Sequence, residues 1–92
     1  MNPALALLFA DRELDLETLA RLADVDLLWI ETRVDLLPRD AADALLLQRV
    51  RRMVRLEREF DAVPELAALV TDLEDELRRL RGRLPPPGPG LD

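Results

Sequence analysis

The stretch "LLLQRVRRMVRLEREFDAVPELAALVTDLEDELRRLRGRL", Leu45–Leu84, decides the fold. Its first part contains neither glycine nor proline and reads as an amphipathic helix from about 41 to 60. Leu47, Val50, Met53 and Val54 define an apolar side, while Arg51, Arg55 and Arg58 recur at i, i+4, i+7 on another. The helix breaks at "FDAVPE", where Pro64 suits the first turn of a new helix and Glu65 favours its positive end. The helix that follows, about 65–84, is the most regular part of the chain. Leu66, Val70, Leu73, Leu77, Leu80 and Leu84 alternate steps of four and three, the seam of a short coiled coil. Such a seam either packs on the body of its own chain or joins copies into a homo-oligomer. On the exposed side, Glu74–Arg78 and Asp75–Arg79 are acid-before-base pairs at i,i+4.

Upstream of this block, Asp15 stands as an N-cap before "LETLARLA", with Leu16, Leu19, Ala20 and Ala23 on one side. That helix ends near "ADVD". Asp26 then caps a second short helix, "LLWIETRV", with Leu27, Ile30 and Val34 at helical spacing. Two short helices joined by about three residues make a helix-turn-helix unit, about 15–37. "DLLPRDAAD" closes it, because Pro38 disfavours helix at Leu37 and Asp40 offers the next N-cap. The N-terminal "PALALLFA" lacks clear alternation and leaves strand and helix both open. The last residues, "PPPGPGLD", form a disordered Pro/Gly tail at 85–92. The expectation is one all-α domain over 1–84: a helix-turn-helix unit, a long central helix and a coiled-coil-like C-terminal helix.

Composition narrows the function. Ninety-two residues suffice for one small domain. There is no cysteine, histidine, serine, tyrosine or lysine, which removes most side chains that serve as nucleophiles, mid-pH bases or soft metal ligands. No enzyme, no cofactor and no metal is therefore expected. The apolar "PALALLFA" is too short to span a membrane and has no basic region before it, so the expected location is the cytoplasm.

Charge is uneven. Residues 1–45 carry ten acidic and four basic side chains, net −6, whereas 46–92 carry nine of each, net 0. The first half should attract a basic partner and repel phosphate. The run "QRVRRMVRLEREF", Gln48–Phe60, has five arginines in thirteen residues. It lacks the aromatic and amide neighbours that read or stack bases, and it ends in "ERE". A helix-turn-helix that reads DNA aims arginine, lysine, glutamine or asparagine from its second helix into the major groove. Here that helix offers Glu31, Thr32 and a lone Arg33 among Asp24, Asp26 and Asp35, with Trp29 at the edge of its apolar stripe.

The blocks "LDLETLARLADVD", "IETRVDLLPRD" and the long stretch quoted first resemble the CbpM-like chaperone-modulator family, small relatives of MerR-type helix-turn-helix domains. The likeness covers about residues 14–84 and is most specific in the helix ending "RLEREF" and the "LVTDLEDELRRLRGRL" helix after it. "RDAADA" is too short for the wing of a MerR-type domain, so the wing is reduced or absent. Asp24 and Asp35 stand where relatives usually carry glycine. Both departures point toward the DafA branch, the DnaK–DnaJ assembly factors. The resemblance implies a non-enzymatic adaptor that binds a J-domain co-chaperone, with its Hsp70 as a second partner, to modulate or assemble the DnaK–DnaJ system. Because J-domains carry a basic helix, the residues expected at the contact are Asp24, Asp26, Trp29, Glu31 and Asp35. The alternative is a MerR-like transcription regulator with Arg33, Arg39 and the Arg49–Arg58 run on phosphates.

Overall fold

Each short helix begins where a polar side chain satisfies its free backbone N–H groups. In the computed structural model, which describes residues 2–83, Asn2 caps α1 (Pro3–Phe9) by accepting from the Ala4 N–H at 2.9 Å. Asp15 caps α2 (Leu16–Ala23) through the Thr18 N–H at 2.7 Å, and Asp26 caps α3 (Leu27–Glu31) through the Trp29 N–H at 2.7 Å. A 3-10 turn, Val34–Leu36, follows α3. Two long helices complete the described residues, α4 (Asp43–Phe60) and α5 (Pro64–Arg83). No strand occurs among the described residues, so the fold is all-helical. The Pro/Gly tail at 85–92 and Leu84 of the seam lie outside those residues.

All five helices feed one core. Leu5 and Leu8 of α1, Leu19, Ala20 and Ala23 of α2, Ile30 of α3 and Val34 and Leu37 beyond it close over Leu46, Val50, Met53 and Val54 of α4. Each fully buried leucine, isoleucine or methionine contributes about 1.5–3 kcal/mol. Helices α4 and α5, joined by residues 61–63, form an antiparallel hairpin; α2 rests on α4, α3 packs on α2 and reaches α4 through Trp29, and α1 packs on the 3-10 turn.

Several expectations are corrected. The second short helix stops at Glu31, because the chain turns into the 3-10 segment that carries Val34 to the core. Leu27 is therefore exposed, and Ile30 and Val34 alone bury. Asp40 caps nothing. Helix α4 starts after Ala42, which makes no side-chain cap, and the carboxylate of Asp43 turns outward to other partners. On α5 the acid–base pairs close at i,i+3 as Asp75–Arg78 and Glu76–Arg79, with Asp75 also reaching Arg52 of α4.

The leucine seam, for which packing on its own chain and joining of copies were both open, stays largely exposed. Helix α5 meets α4 through Ala67, Ala68 and Thr71, all buried, with the Thr71 hydroxyl donating to the Ala67 carbonyl at 2.8 Å. Small side chains let two helix backbones approach closely, and leucines would hold them apart. Leu66, Leu73, Leu77 and Leu80 stay exposed, and Val70 is half-buried. Past Thr71 the hairpin is held by the ion pairs Arg49–Asp72 and Arg52–Asp75.

Candidate functional site

The turn between α2 and α3 is built by a left-handed residue. Asp24 has φ 58° and ψ 47°, its N–H donates to Arg21 O at 3.2 Å, and the Val25 N–H donates to Ala20 O at 3.0 Å. These two bonds close the end of α2 in a Schellman motif, a place glycine usually fills. The tight stop leaves Asp24, Val25 and Asp26 as the whole connection. It sets the carboxylate of Asp24 in solvent and commits that of Asp26 to the start of α3.

Asp24, Asp26 and Trp29 meet in one shallow concavity of about 510 Å3, together with Arg21, Val25 and Arg58. The Arg58 guanidinium donates to the Asp24 carbonyl at 2.9 Å, tying this rim to α4. The other two expected residues are elsewhere. Glu31 is exposed at the end of α3 and lines no part of that concavity, and Asp35 lines a second one of about 310 Å3 with Leu7 of α1 and Arg39. The five thus divide into a cluster of three and two outlying carboxylates.

Trp29 is half-buried, with its underside occupied by this chain. Its indole N–H donates to Glu57 Oε1 at 3.3 Å, and the Arg33 guanidinium carbon lies 4.3 Å from the centre of its ring. Arg33 is gripped by Glu57 from α4 through Nε at 2.8 Å and a terminal nitrogen at 2.6 Å, a forked pair with both side chains largely removed from water. Sequence reasoning missed this triad. Glu57 lies within the "ERE" set apart as family-specific, yet nothing local tells that its carboxylate reaches back to residues 29 and 33.

A second unforeseen hub is Arg12. Its guanidinium donates to the carbonyls of Leu8, Ala41 and Arg39 and to Asp43 Oδ1, all between 2.8 and 3.0 Å, while Asp43 Oδ2 accepts from the Leu14 N–H. One buried side chain thereby fixes the end of α1, the loop before α4 and the first turn of α4. No motif in "DRELD" marks it.

Four of the five arginines in the run bond to this chain, although Arg51 and Arg58 stay exposed. Arg49 bonds Leu36 O and Asp72, Arg52 bonds Asp75, Arg51 bonds Leu22 O, and Arg58 bonds the Asp24 backbone. Arg55 makes no such bond among the described residues and is exposed. Of the arginines assigned to phosphates in the DNA-reading alternative, Arg33 and Arg49 are the most completely withdrawn. Asp24, Asp26, Glu31 and Asp35 remain exposed.

Comparison with family models, with curated proteins and with solved structures gives no match. No described helix is long and apolar enough to cross a membrane.

Proposed function

We propose that this chain is a non-enzymatic cytoplasmic adaptor whose acidic α2–α3 face binds the basic helix of a J-domain co-chaperone, with the associated Hsp70 as a second partner. The turn cluster of Asp24, Asp26 and Trp29 is the centre of the contact, with Glu31 and Asp35 at its margins. In this reading α2 and α3 are the counterpart of a MerR-type helix-turn-helix from which the wing has been lost.

Two things support it: the resemblance carried by residues 14–84, and the opposite fates of acid and base on this surface. The arginine that would face a groove, Arg33, is held by Glu57 and the Trp29 ring, whereas the neighbouring carboxylates stay in water. Such a face attracts a basic partner, speeds encounter with it and repels a phosphate backbone.

The test is calorimetric titration of the full chain with a purified J-domain at two salt concentrations. The D24N/D26N variant removes two charges while keeping side chains that suit a left-handed turn and an N-cap. Binding that weakens with salt, and by about tenfold in the double variant, is expected. A parallel titration with duplex DNA addresses the alternative. Tight binding to DNA with a steep salt slope, and none to the J-domain, would overturn the adaptor reading.

A further inference from the structure

The exposed stripe on α5 carries an inference that is independent of the adaptor reading. In a heptad register, Val63, Val70 and Leu77 occupy a positions and Leu66, Leu73 and Leu80 occupy d positions. Leu66 is 49% exposed, Leu73 60%, Leu77 48% and Leu80 45%, and Val63, just before the helix, is 60% exposed. The small residues that meet α4 lie toward the outer positions of the same register: Ala67 at e, Ala68 at f and Thr71 at b. The intramolecular face and the seam therefore lie on different sides of α5, and the hairpin leaves the seam open.

From this we infer that two copies of the chain pair through α5 as a parallel coiled coil. Each copy presents on the order of 500 Å2 of contiguous apolar surface along the seam, as large as the biggest patch on an ordinary monomer. Two copies together reach the ~1,000 Å2 that a specific interface requires. Valine at two a positions with leucine at every d position favours two strands.

The flanking charges choose the direction. Glu74 and Arg81 stand at e, and Glu76 and Arg83 at g. In a parallel pair each g residue faces the e residue five positions later on the partner, so Glu76 meets the partner's Arg81 twice by symmetry. Leu69 at g meets Glu74, where no charge opposes it. An antiparallel pair with full overlap of the leucines sets Glu74 against its own copy, which is repulsive. Shifting the antiparallel register to bring Glu74 beside Arg81 carries Val63 and Leu66 past Arg83, the partner's last described residue, and leaves fewer of the described seam residues paired. Among the described residues, only the parallel arrangement satisfies the leucines and the charges together.

Sedimentation equilibrium of the full chain across micromolar concentrations tests this. A reversible dimer is expected, and Leu73→Asp should abolish it with helical circular dichroism unchanged, since that side chain is 60% exposed and lies outside the hydrophobic core. Glu76→Arg and Arg81→Glu should each weaken the dimer on the order of tenfold by placing like charges opposite, and the combined E76R/R81E variant should recover wild-type affinity. The combined variant keeps the loss of the internal Glu76–Arg79 pair, so only the intermolecular contact can account for recovery. A folded chain that stays monomeric at ~100 μM overturns the proposal, including the case in which the seam binds a different protein. So does a dimer indifferent to Leu73→Asp, or a combined variant weaker than either single one.

Discussion

Glu57 holds Arg33 with both carboxylate oxygens, at 2.6 and 2.8 Å, and the oxygen at 2.6 Å also accepts from the indole of Trp29. Through Trp29 it ties α3 to α4, and through Arg33, twenty-four positions from Glu57, it ties the segment just past α3; it is the main polar link between the acidic face and the long hairpin. Removing one member leaves a charge withdrawn from water without a partner, which costs far more than the pair contributes as a whole. Glu57→Ala is accordingly expected to lower stability by about 2–3 kcal/mol, read as a lower urea midpoint with an unchanged slope. The R33A/E57A double variant should lose less than the sum of the two single changes.

Arg12 calls for a different substitution. Lysine keeps the charge, but its single ammonium cannot reach three carbonyls and a carboxylate that a planar guanidinium spans. Arg12→Lys should lose about 1–2 kcal/mol, with hydrogen exchange accelerated in α1 and in the first turn of α4 ahead of the rest of the chain.

Left-handed aspartates offer the opposite change. Asp61 closes α4 at φ 50°, a conformation that aspartate tolerates but glycine adopts with less strain, and it sets a carboxylate at the negative end of the helix. Asp61→Gly should stabilise by about 0.5–1 kcal/mol, seen as a rise of several degrees in Tm.

Asp15 makes stability depend on pH. Thr18, through its side chain and then its backbone N–H, holds the Asp15 carboxyl below its ordinary range. A group depressed in the folded state stabilises above its unfolded pKa, near pH 4, and that contribution disappears as pH falls through the lower, folded value. Asparagine caps a helix without titrating. Thermal melts of wild type and Asp15→Asn from pH 7 to pH 2.5 should therefore show the variant's relative stability rising as acid is added.

The starts of α2 and α3 were legible in the sequence because their signals are local, whereas α1 was not, since "PALALLFA" leaves strand and helix both open. Asp15 and Asp26 cap where their spacing to Thr18 and Trp29 requires, and the break at Phe60–Glu65 falls where Pro64 places it. The face of α5 that meets α4 was not legible. A pattern of leucines marks where apolar surface lies, whereas backbone approach is governed by small residues, and Ala67, Ala68 and Thr71 carry no periodic signature of their own. Glu57 and Arg12 escaped for a related reason, since their partners lie 24 to 31 residues away and no short window contains both ends. Of the expected contact residues, the three that adjoin in sequence also adjoin in space, and Asp35 departs because the 3-10 turn swings it toward α1.

The chain holds one tryptophan and no tyrosine, so nearly all of its near-ultraviolet emission originates at Trp29. That ring is stacked beneath a guanidinium, bonded to a carboxylate and edged onto the concavity beside Asp24 and Asp26. A shift in its fluorescence thus reports on both the α3–α4 link and the occupancy of the acidic turn. The unmodified protein supplies its own optical probe at the place where a partner is proposed to bind.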